Sequence, residues 1–213
     1  MCVIIFKNKK TNLDLNTIKL AYNQNPDGVG VCVNDRGSQW TVYKYLTPSK
    51  KDLQDICKLC QDHQAILHFR IATSGGVNMS NCQPFLFDDN KQVLFHNGVM
   101  YSLNGICKDR SDTRLLIEIF EGGNVDPHEL LTNISKHSMN KFILLDDKNT
   151  VNFYGDFKDY KGLWCSNLNF IPVKKPVINL PLNYSEPVFK SREEFFESRK
   201  TRWDNDILED CEI

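Results

Sequence analysis

Apolar runs too short to be helices, each closed by a tight polar turn, limit what this chain can fold into. Val3–Phe6, Gly30–Val33, Trp40–Tyr45, Ala65–Ile71, Val93–Phe95, Lys141–Asp146, Val151–Tyr154 and Leu163–Cys165 read as strands. Asn34-Asp35-Arg36-Gly37 joins the second to the third as a hairpin, and Lys141–Asp146 forms another with Val151–Tyr154. Helical periodicity comes in separate blocks. Leu13–Tyr22 carries Leu15, Ile18 and Tyr22 on one face, and 51–64 carries Leu53, Ile56, Cys57 and Cys60 on one face. Asp112–Phe120 and Pro127–Ile134 then follow one another. Hairpins with grouped helices predict an α+β fold built on antiparallel pairing, not a doubly wound parallel sheet.

The chain has 213 residues, 41% of them hydrophobic and 25% charged, which suits one well-buried domain with an appendage. The appendage is expected over 171–213. Pro172, Pro176, Pro181 and Pro187 interrupt regular structure there, and Ser191 caps a helix reaching Trp203, with Glu193 and Glu194 near its start. The domain is accordingly assigned to 2–170. A net charge of −1 gives no footprint for nucleic acid or an anionic membrane. Apolar runs such as Phe142–Leu145 fall far short of the roughly 20 residues that cross a bilayer. Eight scattered cysteines and no export signal predict reduced thiols in a cytoplasmic protein. Cys57-Lys58-Leu59-Cys60, with His63 beyond it, lacks a second pair at zinc-site spacing, so it reads as two cysteines on a buried helix face.

Cys2 follows Met1 directly. Aminopeptidases that remove an initiator Met accept a small second residue. Once Met1 is gone, one residue holds a thiol and a free α-amine, with reference pKa values of about 8.5 and about 8. Nucleophile and base are then together. Four clusters at strand ends and turns lie behind it: Asn25-Pro26-Asp27-Gly28-Val29-Gly30, His68-Phe69-Arg70-Ile71-Ala72-Thr73-Ser74-Gly75, His96-Asn97-Gly98 and Ser111-Asp112-Thr113. Each alone has a plain structural reading. Asn-Gly is a common turn, Ser-Asp-Thr a common helix cap, and a strand Arg is usually solvated.

In this order, behind a Cys at position 2, the set resembles the class II glutamine amidotransferase domain, whose members are N-terminal-nucleophile hydrolases. The resemblance runs from Cys2 to about Asn167, takes in Trp164-Cys165-Ser166-Asn167, and is nearest to small stand-alone members, often phage-encoded. It implies a four-layer αββα sandwich, two antiparallel sheets between helices. It implies hydrolysis of the glutamine side-chain amide, with Cys2 as nucleophile and its α-amine as base. Asn97 side-chain N–H and Gly98 backbone N–H would form the oxyanion hole. Arg70 would fork onto the substrate α-carboxylate, Asp112 would hold the α-ammonium, and Thr73 and Ser74 would flank the carboxylate. No cofactor or metal is implied. The location would be cytoplasmic, in the host if phage-encoded. Asp27 and Gly28 would line the nucleophile side in a structural role.

Three positions depart from the family pattern. Ser74 stands where many members have His, Gln83 where small members often have His, and Arg114 where larger members have Glu. They bear on substrate identity more than on reaction type. About 43 residues follow Phe170, too few for a synthase. Ammonia would pass to a separate acceptor subunit, or the chain would hydrolyse a γ-glutamyl amide alone. If Met1 is retained, the fold is expected to be a catalytically silent binding module.

Overall fold

The computed structural model describes residues 1–35, 39–123 and 125–172. The expected appendage lies outside these residues apart from Ile171 and Pro172. Ten strands and four helices are described: β1 Val3–Lys7, α1 Leu15–Gln24, β2 Val29–Val33, β3 Thr41–Tyr45, α2 Lys50–Cys60, β4 Ala65–Phe69, β5 Phe85–Phe87, β6 Gln92–Asn97, α3 Asp112–Glu121, α4 Pro127–Lys136, β7 Lys141–Leu145, β8 Val151–Tyr154, β9 Lys158–Tyr160 and β10 Leu163–Cys165. β5 and β9 have three residues each, too short to show a period, and were not anticipated individually.

Every described strand pair is antiparallel. One sheet runs β3-β2-β4-β1-β10-β9 and the other β5-β6-β7-β8. Side chains alternate between the faces of a strand, so neighbouring residues feed different cores. Val3, Ile5, Val31 and Leu67 pack outward on Ile18, Leu53 and Ile56 of α1 and α2. Ile4, Phe6 and Ile66 face inward to meet Val93, Phe95, Ile143 and Leu145 of the second sheet. Leu94, Phe142 and Leu144, on that sheet's far face, pack on Leu116, Ile117, Phe120 and Leu131 of α3 and α4. The result is the expected α+β sandwich of four layers: helices, sheet, sheet, helices. Strands covered on both faces have no solvent side, which is why Val3–Phe6 and Ala65–Leu67 read as apolar runs without alternation.

Local chemistry sets the helix starts. Ser49 and Asp52 form a capping box at α2. Ser111 Oγ accepts the Arg114 N–H at α3, and Asp126 caps α4 ahead of Pro127. The CxxC sits on α2 as anticipated: Cys60 is fully buried, and Cys57 Sγ lies 3.4 Å from the Leu13 carbonyl. All seven described cysteines are free thiols. Among the described residues no cluster suited to a metal ion occurs, and no helix is long and apolar enough to cross a membrane.

Candidate active site

Alternation and register bring the sequence clusters to one end of the sandwich. Val3 pairs with Phe69 across β1 and β4, so Cys2 and Arg70 are the next residues along, one from each strand. Cys2 has the parity of Ile4 and Phe6, Arg70 that of Ile66, and Asn97 that of Val93 and Phe95. All three therefore point between the sheets, where β1 begins and where β4 and β6 end. Around this end a cavity of about 20 Å³ is lined by residues that include Cys2, Arg70, Thr73, Ser74, Gly98 and Asp112. Six of the seven anticipated site residues thus line one cavity. Such a space holds about one water.

The thiol is held at its base. Cys2 Sγ lies 3.4 Å from both the Ile71 N–H and the Ile71 carbonyl, and Asn167 Nδ2 donates to the Cys2 carbonyl at 2.7 Å. Desolvation pushes the thiol pKa up, opposed by the Ile71 hydrogen bond, the N-terminal charge and Arg70. The resting group is a thiol that needs a base. The Asn25–Gly28 turn supports this wall from behind: Asp27 Oδ2 accepts the Ala72 N–H at 2.8 Å, and Arg70 N–H donates to the Gly28 carbonyl at 2.8 Å. Asp27 and Gly28 do not line the cavity.

The two charged groups are fixed by one residue between them. Arg70 is 3% exposed; its Nη2 donates to the Ser74 carbonyl at 3.1 Å while Nη1 has no partner among the described residues. Ser74 Oγ accepts the Asp112 N–H at 3.3 Å. Ser74 therefore contacts the Arg70 guanidinium and the Asp112 backbone. Asp112, the first residue of α3, accepts the Met100 and Thr113 N–H groups at 2.8 and 2.7 Å. Neither Arg70 nor Asp112 has an ion-pair partner among the described residues. Thr73 is exposed and lines the cavity. Arg114 does not line it; its backbone N–H meets the Ser111 cap.

Asn97 and Gly98 close the other wall. A Cβ on Gly98 would stand 2.0 Å from Asn140 Oδ1, so no larger residue fits. Asn97 lies behind this wall, 2% exposed and outside the cavity lining, with Nδ2 donating to Ser166 Oγ at 2.8 Å and Oδ1 without a partner. Ser166 Oγ also accepts the Ile4 N–H. With the amide turned by 180°, Ser166 hydroxyl donates to Oδ1 and Nδ2 gains a free N–H.

Sequence reasoning missed the buried polar scaffold around these residues. His96 stacks on Phe142 and bonds Asn140 Oδ1 and Thr113 Oγ1, both at 2.8 Å. Burial holds its pKa below the usual range, so Nε2 donates to Asn140 and Nδ1 accepts from Thr113. Gln83 pairs both backbone groups of His96 with its amide, Nε2 to the carbonyl at 3.1 Å and Oε1 to the N–H at 2.6 Å. Asn81 ties loops together through Gly76, Asp109 and Ser111. The quoted clusters contained His96 and Thr113, but nothing in the sequence around Asn81 or Asn140 sets either apart from a loop residue.

No family model matches the chain, and no curated protein matches it. Among solved structures it is similar to a glutamine aminotransferase class-II domain protein from Silicibacter pomeroyi, 14% identical, with a TM-score of 0.41 over 78% of this chain and 87% of that one. It is similar to a glutamine phosphoribosylpyrophosphate amidotransferase from B. subtilis, complexed with ADP and GMP, 17% identical, with a TM-score of 0.41 over 78% of this chain. It is also similar to an allosteric regulatory enzyme of purine biosynthesis, 20% identical, with a TM-score of 0.39 over 68% of this chain. The matched regions span 41% and 35% of the latter two chains.

Proposed function

We propose that this chain, after loss of Met1, hydrolyses the side-chain amide of glutamine through Cys2 and releases ammonia to an acceptor on a separate partner. The observation that carries the reading is one small cavity shared by a thiol, a buried Arg70 and a buried Asp112, neither charge with an ion-pair partner among the described residues. A buried guanidinium with a free donor calls for a carboxylate, and a buried carboxylate nearby calls for an ammonium. A free amino acid supplies both, and its side chain then extends toward Cys2 and Gly98.

The chemistry is acyl transfer. The Cys2 α-amine takes the thiol proton, directly or through a water, and the thiolate attacks the amide carbon. Gly98 N–H and Asn97 Nδ2, in the amide orientation that frees a donor, receive the developing oxyanion. The C–N bond breaks as the α-ammonium returns the proton to the leaving nitrogen. Water then attacks the thioester, the C–S bond breaks, and glutamate leaves. The test uses protein whose intact mass lacks one Met. It should release glutamate and ammonia from glutamine, and a glutamine-analogue electrophile should label Cys2. Turnover no faster than that of Cys2→Ala overturns the reading.

A further inference from the structure

A second, larger depression shares a wall with the cavity. It is an open groove of about 730 Å³ between the 98–104 loop, α3, α4 and the 137–140 segment, with Met1 and Gly98 among its lining. Its walls are mainly apolar: Met100, Leu116, Ile119, Ile134 and Met139 contribute to them. Met139 is 79% exposed and Ile119 39%, so the groove presents apolar surface to water at the edge of a polar site. Its volume is that of a small-molecule site.

The groove lies where a leaving group must go. During C–N cleavage the departing nitrogen takes its proton from the Cys2 α-amine. That amine is the atom now bonded to Met1, and Met1 lines the groove. Gly98, the proposed oxyanion donor, lines both spaces. Arg70 and Asp112 hold the amino-acid end on the cavity side, so any substituent on the amide nitrogen emerges past Gly98 into the groove. Removing Met1 also vacates the space its side chain occupies there.

We infer that the preferred substrate is a γ-glutamyl amide of an apolar amine, with the hydrocarbon lying in this groove. The inference rests on the proposed Cys2 chemistry and deepens it. The reaction balances without a further reagent: the N-alkyl amide and water give glutamate and the alkylammonium ion. The thiol proton passes through the α-amine to the leaving nitrogen, and water supplies the oxygen and restores the thiol. A hydrocarbon arm buried at the moment of attack raises kcat/KM, because each methylene withdrawn from water favours the bound transition state.

The experiment compares glutamine with γ-glutamyl-n-hexylamide on Met1-free protein, together with Ile119→Glu and Met139→Glu. Both variants alter exposed positions outside the proposed catalytic set, and glutamine turnover reports whether they remain folded. The expected result is a kcat/KM at least tenfold higher for the hexylamide. Each Glu variant should remove most of that preference and leave glutamine turnover within twofold. If glutamine is cleaved and the hexylamide is not preferred, the inference falls while the Cys2 reading stands, and the groove is left for an acceptor protein. A preference that survives both Glu variants overturns the groove as its source. If neither amide is cleaved faster than by Cys2→Ala, the Cys2 reading falls and the inference with it.

Discussion

Arg70 has Nη2 on the Ser74 carbonyl and Nη1 on nothing among the described residues. Holding a charge out of water without an ion partner costs several kcal/mol, and a substrate carboxylate would offset that cost on binding. Arg70→Met should therefore raise the stability of the ligand-free protein by about 1–3 kcal/mol in urea denaturation, since an apolar chain of similar length fills the space. The same variant should lower kcat/KM for glutamine by at least about a hundredfold, through loss of a bidentate charged contact. A destabilised Arg70→Met that keeps its activity removes the carboxylate role. His68, on the same strand, is fully buried with both ring nitrogens unpartnered, and desolvation pushes its pKa from 6.5 down to about 3. Above pH 6.5 the ring is neutral in both folded and unfolded chains, and its contribution is fully present. As pH falls from 6.5 toward 3 only the unfolded chain takes the proton, so stability drops by about 1.4 kcal/mol per pH unit from this group. His96 is lowered in the same direction. Urea midpoints taken between pH 7 and pH 4 should fall steeply, and His68→Leu should flatten that slope. An unchanged slope in His68→Leu shifts the acid sensitivity elsewhere.

At the scale of elements, Lys7 ends β1 and also ends α2. Its side chain is fully buried and Nζ donates to the carbonyls of Cys60, Gln61 and His63 at 2.7, 3.1 and 2.7 Å. Those carbonyls belong to the last turn of α2 and the loop after it, where orphan acceptors and the negative end of the helix dipole favour a cation. Lys7→Met should cost about 2–3 kcal/mol in denaturation midpoint, because it strands acceptors that water reaches poorly. A loss under about 0.5 kcal/mol would show that water replaces the ammonium. Position 7 followed an apolar run in the sequence, and nothing local marked it as buried. Its partners lie more than fifty residues away, and that distance is the general reason for what was not legible. Strands and helix faces were readable because period 2 and period 3.6 are local. Cys2, Arg70, Gly98 and Asp112 could be singled out as neighbours of one cavity because each sits in a short motif at an element end. Asn81 and Asn140 were not readable, since their work is to satisfy buried backbone and side-chain groups on other elements, and spacing carries no trace of it. The departure at Gln83 finds its reason here as well: an amide donates to and accepts from the His96 backbone at once, which a neutral imidazole in that position would match less well.

For the whole molecule, the site exists because two sheets end together. In the proposed reading the nucleophile comes from the start of β1 in the first sheet, one oxyanion wall from the end of β6 in the second, and one clamp from the start of α3 in the outer helical layer. No single layer holds all of these residues, so the four-layer packing is what brings them together. The proposed chemistry has one requirement outside that packing: the amine must belong to Cys2. Met1 is 59% exposed and contributes little to the core, so its presence or absence should leave folding nearly unchanged. Inserting Lys between Met1 and Cys2 places a bulky residue after the initiator and blocks its removal. This chain should unfold within about 0.5 kcal/mol of the wild type, the usual range for surface changes. It should nonetheless lose at least about a thousandfold in glutamine turnover, since the base is then an amide nitrogen. Intact mass verifies the N-terminus of both proteins. Full activity with Lys still in place would move the base to another group, and full unfolding would make the terminus structural. Loss of activity with stability kept ties catalysis to one cleavage event after folding information is already complete.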